Sequence, residues 1–363
     1  MYDFIVKTYD KRTLYFFLHK GLCVKNLLKS DNKYSVIYED AVKDFAVEDM
    51  GFGKVSIVCQ NNEGSIVFIR EEDNGYTKTI LLKNKSKVYY DKYFHLKLQG
   101  NWLGLSYIIE YNGKNILSYQ IIDNENEPPM AVDYILGKRY FSFVDSDFNR
   151  VFFYNKDNEF GIKIFRWSKK NFDGYKKLDD GELLSVINDF NDNYYLVYMK
   201  ENKCYLKIIK GESEEGEESD YPLDFINLFD EVNLLIENNN LWITVKRYNF
   251  TFGKKINKED VSFSPSYNFF CDKEIKNISL AIHDKDIKCE TCFGSVADFK
   301  PELLLYKNIC DFKNSHIFLN EISSETPQIP NPLNIAVSKL EIRIKELESK
   351  IKELEGEAQR KEN

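Results

Sequence analysis

Apolar runs with strand character begin at Phe4, Phe45, Phe94, Phe141, Leu184, Phe225 and Ile278. They recur roughly every 40–50 residues, enough for four short strands and their turns. The second repeat shows the plan most clearly. Apolar stretches at residues 44–48, 55–59, 65–70 and 76–82 are separated where Asn61-Asn62-Glu63-Gly64 and Glu72-Asp73-Asn74-Gly75 reverse the chain. In the third repeat Asn112-Gly113 stands between the runs 105–111 and 116–122, the strongest short hairpin signal. His19-Lys20-Gly21, Asn155-Lys156-Asp157-Asn158, Lys200-Glu201-Asn202-Lys203 and Glu237-Asn238-Asn239-Asn240 occupy matching places in other repeats. Helical 3.6-residue periodicity is nearly absent before residue 330.

These repeats predict an all-β fold over residues 1–322, a β-propeller of seven four-stranded blades. Consecutive hairpins at this spacing also fit a sandwich, or a ring of six or eight blades. The strand at Phe4 either opens the first blade or closes the last as its outer strand. Repeat length and strand plan resemble β-propeller repeat proteins in general. No repeat carries the Gly-His and Trp-Asp signature of WD40 units or the paired glycines of kelch units. The resemblance implies a disc with a central channel and loop-built binding faces, and no particular activity.

Residues 323–332 change character, holding Pro327, Pro330 and Pro332 of the chain's 8 prolines, and read as a stiff linker. Asn331 suits a helix cap and Pro332 the first helical position. Residues 333–363 then follow heptads, predicting a coiled-coil α-helix. Leu333, Leu340, Leu347 and Leu354 fall at d, and Val337, Ile344 and Ile351 at a. β-Branched a with leucine d favours a parallel pair, and Arg343 and Lys350 at g face Glu348 and Glu355 at e of a partner. A homodimer through this coil is the expectation. Ile342 at an f position and Gly356 near the end work against it, and docking on another protein's helix is the alternative.

Charge narrows the partners. Lysine plus arginine number 50 against 58 acids, a net charge of −8, so no basic face for nucleic acid is expected. The N-terminal stretch has no apolar core of a secretory signal and no run is long enough for a membrane span. Seven cysteines, an odd number spread over a long chain, fit thiols in a reducing cytoplasm better than a disulfide framework.

Catalytic parts are scarce. The sequence holds no H-E-x-x-H, no G-x-S-x-G and no Walker A loop. Gly51-Phe52-Gly53-Lys54 reads as a loop between strands. Of the four histidines, His19, His95, His283 and His316, His95 alternates with apolar neighbours and reads as a structural, hydrogen-bonded residue. Cys289 and Cys292, with Cys271, Cys310, His283 and His316 near in sequence, are the candidate zinc ligands. With one close pair only, buried core thiols are the simpler reading.

Asp145-Ser146-Asp147-Phe148-Asn149 resembles the start of a calcium loop. Arg150 and Lys156 stand where glycine and glutamate belong, so a plain turn competes. Glu71, Asp73, Gly75 and Thr77 partly match the structural Asp-box turn of sialidase-like propellers, which implies a turn between third and fourth strands and no glycosidase activity. The acidic run 212–220 reads as a solvated loop. The function expected is that of a non-enzymatic interaction scaffold without cofactor or metal, binding an unidentified protein. Two alternatives stand: a carbohydrate-binding or glycoside-processing propeller with its site at the channel mouth, and a structural component of a larger particle.

Overall fold

The computed structural model describes residues 3–304, apart from 30–32, 52, 86–89, 123–126, 211–218, 228–229, 238–239, 249, 258–260, 272 and 283–286. The linker 323–332 and the heptad segment with Leu333, Val337, Leu340, Ile344, Leu347, Ile351 and Leu354 lie outside the described residues. Among those described there are strands and turns and no helix.

Six sheets form, three of four strands, two of five and one of seven. Their first strands are Asp3–Lys7, Ala41–Asp49, His95–Gln99, Tyr140–Val144, Glu182–Asn188, Glu231–Glu237 and Lys276–Ile282, one for each of seven sequence units. Each unit runs as an antiparallel meander from its first strand outward, except that Ile287–Lys288 of the last unit leaves it to pair with Glu231–Glu237 and that Asn171–Phe172 and Lys176–Asp180 of unit four both pair with Glu159–Arg166. The first strands of units one to six touch in succession. Unit six touches the last unit, and the last unit pairs with unit one, which closes the ring of a β-propeller.

Core packing explains why the strands read as continuous apolar runs: both faces of every blade are covered. The strand Arg150–Lys156 alternates strictly. Val151 and Phe153 pack with Leu183, Leu196 and Tyr198 of unit five, while Phe152 and Tyr154 pack with Leu117 and Tyr119 of unit three. Full burial of each such side chain stabilises by about 1.5–3 kcal/mol. Turns fall where the polar breaks stand. Asn112 and Gly113 take φ of 51° and 71°, and Glu201 and Asn202 take 51° and 63°, the paired left-handed residues of a tight hairpin.

Three expectations need correction or completion. The strand at Phe4 opens unit one, antiparallel to Thr13–Leu18. It also runs parallel to Lys276–Ile282, with Ile5 opposite Leu280. Units one and seven therefore share a seven-stranded sheet and are not separate blades. Unit six opens at Glu231 and not at Phe225. The apolar residues Phe225 and Ile226 sit in a turn, where the Ile226 N–H donates to Leu223 O at 3.1 Å. Phe225 packs edge-on against Phe252 and Phe263. Their hydrophobicity fills the gap between blades five and six and makes no strand.

Candidate functional site

The first strands of units two to five and of the last unit bring residues from distant blades together around two cavities that follow one another along these strands. A mouth cleft of about 810 Å³ lies where the first strands begin, over units three, four and five, with Asn277 and Thr291 of the last unit on its far wall. A smaller cavity of about 200 Å³ lies further along the same strands, lined by Glu48, Lys97, Asn188, Lys288 and Glu290 among others.

Unit three contributes Tyr93 and His95 to the cleft. Tyr93 sits in left-handed backbone at φ 54°. Its N–H and that of Lys92 donate to Asp44 Oδ2 at 2.5 and 2.7 Å, which holds this strained entry to the strand. Tyr140 of unit four donates its hydroxyl to the Tyr93 carbonyl at 2.5 Å and lays its ring 4.5 Å from that of His95. At the rim, Arg139 Nη1 lies 3.5 Å from Glu182 Oε1 of unit five.

Asn155 holds the hairpin of unit four to the start of unit five. Its Nδ2 donates to Gly181 O at 2.7 Å and its Oδ1 accepts from Leu183 N–H at 3.0 Å. Gly181 takes φ 117°, and a Cβ there would come within 2.2 Å of Met199 O, so only glycine passes. Asn277 and Thr291 are likewise tied into the protein through Asn233, at 2.7 and 2.9 Å. Asn155, Asn277 and Thr291 of the cleft wall thus serve architecture, which leaves Tyr93, the rim charges and His95 to meet a ligand.

Beneath His95 lies a polar core. Arg150 is 0% exposed, and its Nη2 donates to Ser142 Oγ at 2.9 Å and Ser106 Oγ at 3.4 Å. Ser142 Oγ lies 3.2 Å from His95 Nδ1. Burial, with the Arg150 and Lys97 charges added, pushes His95 down to about 3, so the ring is neutral at physiological pH. Further along, Lys97 meets Glu290 at 2.5 Å and Lys288 donates to Asp189 O at 2.8 Å, joining units three and five to the last unit.

Asp44 gives the cleft a pH signature. Burial pushes its carboxyl up to about 6, against the backbone N–H groups of Tyr93, Lys92 and Asp44 itself, which pull it down. Between the ordinary carboxylate range and about 6 the folded chain holds a proton that the unfolded chain has lost, so stability falls as pH rises through that window. Asp44→Asn keeps an oxygen for the Lys92 and Tyr93 N–H groups and fills with an amide the place of Oδ1, which has no hydrogen-bond partner. Urea unfolding at about pH 4 and pH 7 is expected to show the variant gaining on the wild type as pH rises, by at most about 3 kcal/mol. Parallel pH profiles would remove Asp44 as the cause.

The sites expected from sequence are placed as follows. Cys289 and Cys292 are buried in one apolar cluster with Ile5, Tyr15 and Ile278, and Cys289 Sγ bonds the Thr291 carbonyl at 3.2 Å. Among the described residues no group of three or more His, Cys, Asp or Glu side chains could hold a metal ion. Cys310, His283 and His316 lie outside the described residues. The calcium-like run is a turn. Asp145 Oδ1 accepts the N–H groups of Asp147 and Asn149 at 3.0 and 2.8 Å, and its Oδ2 accepts Asn149 Nδ2 at 2.9 Å. Asp189 makes the same turn with Asn191 and Asn193 in the next blade, so the carboxylate oxygens of both are already occupied. The partial Asp-box does fall between the third and fourth strands of unit two, Ile66–Glu72 and Gly75–Leu82. Glu71 there receives Arg12 Nη1 and Nη2 at 2.9 and 3.2 Å and locks units one and two together.

Arg150, Ser106, Ser142, Arg139 and Glu182 were not singled out as site residues by sequence. Their one local signal is Arg150 itself, a charge heading the apolar run Val151-Phe152-Phe153-Tyr154.

No helix among the described residues is long and apolar enough to cross a membrane. No protein-family model matches the chain, and no curated protein matches it. Solved structures of similar fold include virginiamycin B lyase from Staphylococcus aureus with quinupristin, 12% identical over 80% of this chain and 92% of that one at a TM-score of 0.48. An ulvan lyase is 9% identical over 81% of this chain and 87% of that one, TM-score 0.49. The SapL1 lectin in complex with alpha methyl fucoside is 10% identical over 72% and 94%, TM-score 0.43.

Proposed function

We propose that this chain is a non-enzymatic binding propeller whose mouth cleft captures a polar ligand or the polar segment of a protein partner. The observation that carries the reading is the cleft itself: about 810 Å³, built by three consecutive blades and walled by the last unit. That volume suits a ligand of drug or disaccharide size. Tyr93 supplies flat apolar area, and Arg139, Asp157 and Glu182 supply rim charge. A binding role without catalysis is supported by the state of the inner groups. His95 is neutral and engaged at Nδ1, and Asn155, Asn277 and Thr291 are held by protein partners. The heptad tail adds the second half of the proposal: pairing two propellers would make two weak clefts act together by raising the effective concentration of the second contact.

The carbohydrate-binding or glycoside-processing alternative uses the same cleft and differs in turnover. A panel of neutral saccharides, acidic saccharides and acidic peptides, titrated against the full chain, tests both. The expected result is saturable binding that Tyr93→Ala or Arg139→Ala weakens about tenfold, a loss of about 1.4 kcal/mol, with the ligand recovered intact. Chemical conversion of the ligand would make the chain an enzyme. Undiminished binding by both variants would place the ligand elsewhere.

A further inference from the structure

We infer that the floor of the mouth cleft is an anion-recognition site, so that the ligand carries a carboxylate or a sulfate or phosphate group. This rests on the binding reading of the cleft and narrows it to one chemical class.

The rim does not set the sign. Arg139 lies 3.5 Å from Glu182, Lys138 lies 3.9 Å from Glu110, and Asp157 adds a solvent-exposed carboxylate. The floor does. Arg150 is fully buried, and among the described residues no carboxylate hydrogen-bonds it and its Nε and Nη1 have no hydrogen-bond partner. The carboxylates that act on it from further away are Glu290 and Glu48, and Glu290 is held by Lys97 at 2.5 Å. The inner cavity is lined by Lys97 and Lys288 against Glu48 and Glu290, so its own charges balance and none is left over for Arg150, which makes no ion pair among the described residues. A buried charge with such incomplete compensation is costly unless something else meets its field.

Hydrogen-bond directions carry that field to the cleft. Arginine only donates, so Ser142 Oγ and Ser106 Oγ both accept from Arg150. Ser106 donates its own proton to the His95 carbonyl at 3.4 Å. Ser142 Oγ has two acceptors in reach, Ser106 Oγ at 3.3 Å and His95 Nδ1 at 3.2 Å, and we assign its proton to the nearer, His95 Nδ1. A neutral imidazole that accepts at Nδ1 carries its proton on Nε2. His95 lines the cleft, so the floor presents an N–H donor backed through one hydroxyl by a buried cation. The arrangement rewards an acceptor with negative charge and offers a neutral hydroxyl much less. Arg150 and Ser142 are positioning residues here, and His95 is the contact.

The test uses the full chain and three probes that share a sugar ring: glucuronate, glucose 6-sulfate and glucose. With only four histidines, imidazole nitrogen spectra resolve His95. The free protein is expected to show His95 protonated at Nε2 and accepting at Nδ1. Glucuronate or glucose 6-sulfate should shift the Nε2 signal saturably, about tenfold more tightly than glucose. Which of the two binds better separates a carboxylate ligand from a sulfate-like one. Ser142→Ala removes the link while leaving Arg150 in place, and should erase the preference for the anions and redistribute the tautomer. Arg150→Met is the stronger variant, and Ser142→Ala stands in for it if Arg150→Met does not fold. Equal affinity for glucose and the anions, or an anion preference unchanged in Ser142→Ala, overturns the inference and leaves the cleft a neutral binding site. Saturable shifts at none of the histidines with either anion overturn it as well, and loss of all ligand binding by the cleft would instead remove the reading on which it rests.

Discussion

Ile5→Asp is expected to abolish cooperative thermal unfolding of the chain. Ile5 is 0% exposed and stands opposite Tyr15 on one side and Leu280 on the other, at the seam where the two ends of the propeller meet. Its side chain packs with Leu235, Ile278 and Leu280 of units six and seven. The next residue, Val6, points the other way, into the cluster of Phe45, Val47 and Ile57 in unit two. One strand thus joins three units. Aspartate there forfeits about 1.5–3 kcal/mol of apolar burial. It also places a carboxylate in a cluster of apolar side chains, a penalty of several kcal/mol more. The sum rivals the whole stability of a typical domain, about 5–15 kcal/mol. Ile80→Asp, at a residue 48% exposed on an outer strand, is the control and should change stability by no more than about 0.5 kcal/mol. Circular dichroism melts of the two variants decide it. If Ile5→Asp melts as sharply and as hot as the control, the parallel pairing is not what closes the ring.

This seam marks the limit of what the residues reveal in order. Hairpins are local: Asn112-Gly113 must turn because two successive residues there adopt positive φ, and the flanking runs then have one partner within reach. The strands of unit two were legible to within three residues at each end for that reason. The pairing of Phe4 with Ser279 has no comparable mark, since parallel strands are joined by no turn and the two segments are separated by nearly the whole described chain. Phe225 misled for a different cause. Hydrophobicity reports burial, and burial between blades needs no extended backbone. The cleft was legible least of all. It is made from the starting residues of first strands in separate units, and the feature that gives it chemical sense, Arg150 linked through Ser142 to His95, spans three strands in two blades. Each residue alone has an ordinary reading, as His95 did. Only the direction assigned to each hydrogen bond turns them into a donor aimed at an anion.

Leu340→Glu together with Leu347→Glu is expected to halve the mass of the assembly in solution, from about twice 42.8 kDa to a single chain, with the propeller melt unchanged. The heptad argument is quantitative enough to expect a full effect. Each d-position leucine in a paired coil buries most of its surface, worth roughly 1.5–3 kcal/mol, and a glutamate facing its own copy across the seam replaces that gain with repulsion between like charges. Two central layers of a coil with four leucines at d then turn unfavourable at once, and a segment this short has no reserve. Light scattering coupled to size-exclusion chromatography reads the outcome directly. The consequence for binding is sharper than the change in mass. If paired clefts act through effective concentration, the double variant should keep its affinity for a soluble monovalent probe and lose one to two orders of magnitude towards the same probe displayed densely on a surface. Loss of both affinities would mean that the tail shapes the cleft itself. A wild-type chain that already elutes as a monomer would refute self-association and leave the a and d positions to the helix of another protein.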